Sequence, residues 1–264
     1  MLLMINHAMW AKKKMVRFCC FGLLTVLFFA CKESDGKRDI RDFYYPIRQL
    51  EEGLVYEYRA IGNDSLPPVY WYYRSFIDED GIFLTGTYYE YDLIPRQFVK
   101  EEMVSNGMLQ NELSLLIPDS TGKQDRLQTE ILAGNVFPFK VSEGGGIFLY
   151  KTSFSLPDQP DVTTTLIKNR RYVGDTSYMF KDKKRACIAF EVKELVEIDD
   201  QKAGGIEPQW EGKEIYAENI GLIFYEKKLG NSPLAYALYD RYPMTVLEEK
   251  FKQMMSSDNT YEQN

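Results

Sequence analysis

The chain has 264 residues, of which 45% are hydrophobic and 14% are aromatic, and its formal net charge is −7. The hydrophobic content excludes a chain that is disordered throughout, and the excess of acidic residues argues against a nucleic-acid partner. The only histidine is His7, so catalytic sites and zinc sites that need several imidazoles are excluded.

The first 30 residues have the composition of a secretory signal peptide. They contain four basic residues and no acidic residue, and residues 18–30 form an uncharged, mainly apolar run that ends just before Cys31. This run is shorter than the roughly 20 residues that a membrane-spanning helix needs. We therefore predict a signal peptide over residues 1–30. An incidental cysteine after an ordinary signal peptide, or a short membrane anchor, are the alternatives.

The end of this run resembles the lipobox of bacterial lipoproteins. Ala30 matches the motif, whereas Phe28 and Phe29 depart from it. The resemblance implies cleavage before Cys31, diacylglycerol on its sulfur and acylation, for example by palmitate, of its amine. More than one acyl chain is needed for stable anchoring. Lys32 is not the Asp that retains lipoproteins at the inner membrane, so we expect outer-membrane attachment, facing the periplasm or the cell surface.

Removal of the leader changes what the chain offers for chemistry. The remaining chain has 28 basic and 39 acidic residues and no histidine. The pair Arg170 and Arg171 and the basic residues of 181–185 interleave with acidic residues, which is typical of turn surfaces. Cys187 is the one thiol left, in an apolar segment that predicts burial, so no internal disulfide is available. We expect no catalytic residue, no metal and no cofactor.

After a charged tether over residues 31–42, Pro46 and Gly53 bracket a short helical turn. The segments that follow are rich in β-branched and aromatic residues, which predicts strands. Apolar residues at helical spacing over 244–255 predict a C-terminal amphipathic helix, and residues 257–264 should fray. The predicted strands are 55–61, 69–77, 82–91, 97–104, 109–117, 126–132, 147–156, 163–173, 176–181, 185–198, 213–218, 222–228 and 234–242.

The joints between these strands carry hairpin-turn residues. Residues 78–81, 105–107, 181–183 and 218–221 contain the Asn, Asp and Gly that tight turns require. Consecutive strands joined in this way form an antiparallel meander, and about thirteen strands are more than a flat sheet usually carries. We therefore predict one mainly β domain over residues 43–256, curled into a barrel, a half-barrel or two layers.

Two segments resemble a group of uncharacterised Bacteroidota outer-membrane lipoproteins with a curved antiparallel sheet. The first runs from Tyr45-Pro46 through Gly53 to Tyr56-Glu57-Tyr58, and the second is the hairpin at residues 215–223. The resemblance implies an architecture similar to the open barrels that handle lipoproteins and other apolar cargo. It implies no catalytic residue.

Three sets of residues are candidates for function. The aromatic residues are candidates for a sugar-stacking platform or for the lining of an apolar cavity, and the alternative is that they belong to the ordinary core. Ser65 and Ser120 follow Asp in short motifs similar to Bacteroidota O-glycosylation acceptors. Paired carboxylates run glycoside hydrolysis without histidine. The candidate aromatic residues are Tyr70, Trp71, Tyr72, Tyr73, Tyr88, Tyr89 and Trp210. The candidate carboxylates are Glu57, Glu90, Glu101, Glu191 and Glu214.

These features predict a lipid-anchored, non-enzymatic protein of the cell envelope. We expect it to bind an apolar or glycan ligand, or to act as an envelope scaffold with a protein partner. A carboxylate-dependent glycoside hydrolase and an accessory subunit of an outer-membrane complex are the alternatives. The expected contact with the membrane is the lipid on Cys31, and no nucleic-acid partner is expected.

Overall fold

The computed structural model describes residues 36–118, 123–142, 144–202, 204–230 and 232–261. Residues from Arg38 onward form one compact unit. In the described part of the chain, no helix is long and apolar enough to cross a lipid bilayer. The strands are β1 Arg38–Asp39, β2 Leu54–Ala60, β3 Val69–Ile77, β4 Ile82–Tyr89, β5 Pro95–Val104, β6 Gly107–Pro118, β7 Gln124–Gln128, β8 Glu130–Pro138, β9 Lys140–Val141, β10 Ile147–Leu156, β11 Gln159–Phe180, β12 Lys183–Asp200, β13 Gly204–Ile206, β14 Gln209–Ala217, β15 Gly221–Leu229 and β16 Ser232–Tyr242. The helices are α1 Met244–Tyr261 and two single 3-10 turns, Arg41–Phe43 and Ile47–Gln49.

Twelve strands form a closed antiparallel barrel. Each of these twelve strands pairs with the next one of the set, and the short strands β1, β7, β9 and β13 lie outside the set. The order is β2, β3, β4, β5, β6, β8, β10, β11, β12, β14, β15 and β16. The barrel closes where β16 pairs with β2, with Tyr236 opposite Ala60 and Tyr242 opposite Val55. β7 extends the barrel wall beside β6, and β13 pairs with the end of β12. The predicted mainly β meander is confirmed, and its curled form is the barrel.

The predicted hairpin turns also form. The Asp78 N–H donates to the Gly81 carbonyl at 3.0 Å. Lys181, Asp182 and Asn219 take positive φ angles of 50°, 58° and 58°. Asp and Asn are among the residues that tolerate this conformation best, which explains why these tight turns could be predicted from the sequence.

Apart from shifts of one to four residues at other strand ends, three predicted strands are divided differently in the structure. Residues 163–173 and 176–181 are one strand, β11, in which a bulge at Val173, between Tyr172 and Gly174, shifts the register without ending the pairing to β12. Residues 126–132 are divided between β7 and β8. The break is at Thr129, whose backbone N–H and hydroxyl both donate to the Leu113 carbonyl, at 2.9 and 3.2 Å.

Residues 38–53 close one end of the barrel, and we call this segment the plug. β1 pairs with β9, and the side chains of Ile40 and Leu50 are fully buried. The Tyr45 ring packs on Gly221, where a Cβ would lie 2.5 Å from Tyr45 Cδ1 and where φ is +98°, so only glycine fits. Residues 38–42, which the sequence places in the tether, therefore belong to the folded unit.

An apolar core fills the half of the barrel next to the plug. Phe137 contacts Tyr44, Tyr216 and Phe190 with ring centroids 5.0, 5.1 and 5.7 Å apart. Cys187 is buried, as predicted, and burial raises the pKa of its thiol. The edge and tilted ring contacts of Phe137 stabilise the fold beyond the free energy of burying apolar surface.

Helix α1 lies on the outer face of the barrel. Leu247 packs against Val55, Tyr70 and Tyr242, which all point away from the interior. The Glu57 carboxylate, 2% exposed, accepts hydrogen bonds from Tyr242 Oη at 2.6 Å and Lys250 Nζ at 3.0 Å. The predicted amphipathic helix therefore covers the outside of β2 and β3 and leaves the barrel interior free.

Candidate functional site

A cavity of about 270 Å³ lies inside the barrel, between the plug and the opposite end. Tyr44 and Tyr45 of the plug form its floor. A second space of about 150 Å³ adjoins it and shares Trp71 and Arg170 as lining residues. At the far end, the side chain of Lys227 lines the cavity and is 44% exposed. The cavity is therefore closed by the plug and reaches solvent at the other end.

The aromatic wall of this cavity follows from the alternation of side chains along β3. Trp71 and Tyr73 point inward and stack on each other, with centroids 5.6 Å apart and an angle of 7° between the planes. Their neighbours along the strand point outward. Trp210 of β14 and Tyr225 of β15 line the same cavity. The wall therefore offers flat, apolar surfaces from two sides.

The structure separates the aromatic residues that the sequence grouped together. Trp71, Tyr73 and Trp210 line the cavity, and Tyr88 faces inward against Trp71, with centroids 5.3 Å apart. The other three lie on the outer face, in or against the apolar cluster of Val55, Tyr242 and Leu247 beneath α1. They are Tyr70, Tyr72 and Tyr89. The two-residue period of a strand separates the inward from the outward residues of β3, once the direction of one of them is known.

Five charged side chains line the cavity and form ion pairs with one another. Lys168 Nζ lies 2.6 Å from Glu194 Oε1 and 3.2 Å from Glu214 Oε1. Arg170 Nε lies 2.7 Å from Glu214 Oε2, and Lys227 Nζ lies 2.5 Å from Glu194 Oε2. We call these residues the charge cluster. The interpretation of Arg170 as a turn-surface residue is wrong, because β11 turns this side chain inward and leaves it 8% exposed.

The two carboxylates and the guanidinium of the charge cluster stay ionised near neutral pH. Burial acts to raise the pKa of Glu214, but Arg170 and Lys168 outweigh it and hold that pKa well below its usual range. Burial likewise opposes ionisation of Glu194, and Lys168 and Lys227 lower its pKa. The pKa of Arg170 is raised because Glu214 outweighs the effect of burial. The cluster therefore carries three positive and two negative charges.

Glu101 faces the same cavity but has the opposite behaviour. Burial raises its pKa to about 7, although a hydrogen bond from the Tyr44 hydroxyl and the charge of Arg170 act to lower it. The carboxyl group of Glu101 is therefore protonated below neutral pH and ionised above it. The cavity therefore places a carboxyl group that titrates near neutral pH beside the ionised carboxylates of Glu194 and Glu214.

The other candidate carboxylates lie outside the cavity. Glu57 is beneath α1, Glu90 pairs with Arg96 at 3.2 Å, and Glu191 is on the surface with Arg171. Only Glu101 and Glu214 of the five candidates line the main cavity. The sequence alone does not separate these two carboxylates from the other three, because the alternation of side chains along a strand does not reveal which set points into the barrel.

Of the candidate modification sites Cys31, Ser65 and Ser120, only Ser65 is among the described residues. Ser65 is exposed in the turn after β2, and its hydroxyl donates to Asn63 Oδ1 at 2.6 Å. Cys31 and Ser120 lie outside the described residues.

Two solved structures are similar to this chain, and no family model or curated protein matches it. One is described as a proposed lipoprotein of Parabacteroides distasonis ATCC 8503. It is 14% identical, with a TM-score of 0.49 over 76% of this chain and 98% of its own. The other is described as a proposed exported protein of Bacteroides fragilis with a YmcC-like fold. It is 13% identical, with a TM-score of 0.47 over 76% of this chain and 99% of its own.

Proposed function

We propose that this protein binds a small apolar or glycan ligand inside its barrel, at the cell envelope. The observation that carries the proposal is the cavity, which is lined by Trp71, Tyr73 and Trp210, closed by the plug and open at the far end. Its volume of about 270 Å³, with the adjoining 150 Å³, is close to the lower end of the roughly 300–1,000 Å³ of small-molecule sites. This size favours a small molecule over a polymer.

Two tryptophans make binding directly measurable. Once the leader is removed, Trp71 and Trp210 are the only tryptophans, and both line the cavity. Titration of the leader-free protein with alkyl and saccharide ligands should therefore change the intrinsic fluorescence in a saturable way. Single Trp71→Phe and Trp210→Phe variants should each keep part of the signal.

A cavity-filling variant locates the binding site. Val136 lines both parts of the cavity, so Val136→Phe should abolish the saturable change. The matched control is Val173→Phe, at an exposed position on the outer face. If Val136→Phe folds, by its thermal melting profile, and still binds as well as the wild type, the ligand is not in the barrel. If no compound binds the wild type, the envelope-scaffold or accessory-subunit role is favoured.

The envelope location is part of the same proposal and rests on the leader and Cys31. Cys31→Ala should move the protein out of the membrane fraction of the cell and remove acyl chains from its mass. Ser177→Ala is the control, because this residue is exposed, far from the leader in the chain and outside both candidate glycosylation motifs. A Cys31→Ala protein that remains membrane-bound with the wild-type mass would contradict the anchor.

A second candidate function, a carboxylate-dependent glycoside hydrolase, has one observation in its favour. Glu101 and Glu214 line one cavity, and their pKa values are shifted in opposite directions, as in an acid and nucleophile pair. However, Glu214 already accepts hydrogen bonds from Arg170, Lys168 and Tyr216, which leaves it poorly placed to attack a substrate. Aryl glycoside hydrolysis that is lost in both Glu101→Gln and Glu214→Gln would favour the enzyme over the binding protein.

A further inference from the structure

The charge cluster has more cations than anions. Lys168, Arg170 and Lys227 share the two carboxylates of Glu194 and Glu214. Glu101, which lines the same cavity, is protonated below about pH 7, so below that pH the cavity wall has a surplus of one positive charge. Its surroundings partly exclude water, which makes Coulomb interactions stronger than in bulk solvent.

The acidic residues at the mouth do not cancel this surplus from inside. Glu211 and Glu226 border the cavity, but they lie opposite Lys193 and Lys213 at outward-facing positions of β14 and β15. Glu211 also pairs with Lys193 at 3.4 Å, and both of these side chains are mostly exposed. The charges of Glu211 and Glu226 are therefore screened by solvent more strongly than those of the charge cluster.

Arg170 retains unused hydrogen-bond donors. Its contacts to Glu214 use Nε and Nη2, and no partner in the described part of the chain takes Nη1. Among the described residues, Arg185 Nε is the one fully buried side-chain polar atom without a partner. Arg170 Nη1, which also lacks a partner, is therefore not fully buried. Lys227 has a single carboxylate partner and is 44% exposed at the open end. Both groups suit a carboxylate or phosphate oxygen.

The aromatic residues adjoin these donors. Trp71, Trp210 and Tyr225 line the same cavity as Arg170 and Lys227. A ligand that contacts both needs an apolar or flat body and, at one end, a negative charge.

We infer that the barrel binds a small amphipathic acid, with its carboxylate or phosphate group against Arg170 and Lys227 and its body between Trp71 and Trp210. This inference rests on the proposed ligand-binding function and names the class of ligand. The body is an alkyl chain or a sugar ring, and the shared chemistry is the single terminal anion.

Two matched pairs of ligands test the inference, with fluorescence and calorimetry as readouts, at about pH 6, where Glu101 is mostly protonated. Dodecanoate is compared with dodecan-1-ol below their micelle or solubility limits, and methyl β-glucuronide is compared with methyl β-glucoside. Charge-assisted hydrogen bonds contribute about 1.5–3 kcal/mol each, so at least one acid should bind about 10- to 100-fold more tightly than its neutral partner. The pair that shows this preference identifies the body as alkyl or saccharide.

A substitution at the mouth tests the assigned residues. Lys227→Met should lower the affinity for the preferred acid by about tenfold and the affinity for its neutral partner much less. Lys193→Met is the control, because this lysine pairs with Glu211 on the outer face and is 75% exposed. Lys227 is partly exposed with one partner, so the variant should fold, and its thermal melting profile verifies this.

The outcomes separate the inference from the proposed function. If acids and neutral partners bind with equal affinity, or if Lys227→Met leaves the acid preference unchanged, the ligand class is wrong while barrel binding stands. If no ligand of either pair binds, the result counts against both. A preference for the acid that Lys227→Met removes and Lys193→Met retains supports the inference.

Discussion

At the scale of single residues, the cavity combines groups that the barrel makes unequal. Glu101 and Glu214 are both glutamates on inward-facing strand positions, and both are almost fully buried. Glu214 faces Arg170 directly and remains ionised, whereas Glu101 has the neutral Tyr44 hydroxyl as its nearest partner and titrates near neutral pH. The difference arises from partners distant in the chain, so no local sequence pattern reveals it.

Glu101 should make the stability of the protein depend on pH. Its pKa rises from an ordinary value of 4.5 to about 7 on folding, so the folded state binds the proton more tightly than the unfolded state. The stabilisation is complete below pH 4.5 and is lost as pH rises to 7, which amounts to on the order of 3 kcal/mol. Chemical denaturation of Glu101→Gln should show a flatter pH dependence over this range.

Glu191→Gln is the matched control for this prediction. Glu191 is exposed and pairs with Arg171 on the outer surface, so its removal should leave the loss of stability between pH 4.5 and 7 in place. The same slope in the wild type and in Glu101→Gln would show that Glu101 is not the titrating group.

At the scale of elements, strand identity was predictable and the direction of side chains was not. The strands β3 and β10 have the predicted bounds, because dense β-branched and aromatic residues end at clear turn residues. The plug was read only as a short helical turn after a tether. Its role in closing the barrel depends on Tyr45 meeting Gly221, far along the chain. Contacts of this kind are set by closure of the sheet and leave no local pattern.

Attachment of α1 depends on one buried carboxylate outside the barrel. Burial opposes ionisation of Glu57, but hydrogen bonds from Tyr242, Lys250 and Arg59 lower its pKa. Glu57→Gln should weaken the docking of α1 by about 1–3 kcal/mol, so the amides of its first three turns should exchange with solvent roughly 10- to 100-fold faster. Hydrogen exchange measured by mass spectrometry checks this.

The barrel itself should keep its protection in Glu57→Gln, since Glu57 points away from the interior. Glu249→Gln, at an exposed position of α1, is the control and should exchange as the wild type does. Unchanged exchange of α1 in Glu57→Gln would mean that the apolar contacts of Leu247 alone hold the helix.

At the scale of the whole molecule, the antiparallel meander becomes a container because its last strand pairs with its first. The strand count predicted a curled sheet, and the register of β16 with β2 closes it. The plug fills one end, and α1 lies outside, so the remaining interior space is the cavity. The proposed binding site in this mainly β chain therefore depends on the shape of the cavity, its aromatic surface and a small excess of charge.

The most direct test of this account is an experimental structure of the leader-free protein with the tightest-binding compound of the two ligand pairs. We predict density for the compound inside the barrel, between Trp71 and Trp210, with any acidic group beside Arg170 and Lys227. An interior filled by protein side chains, or a ligand bound only in the groove of about 710 Å³ between α1 and the outside of β2, would contradict it.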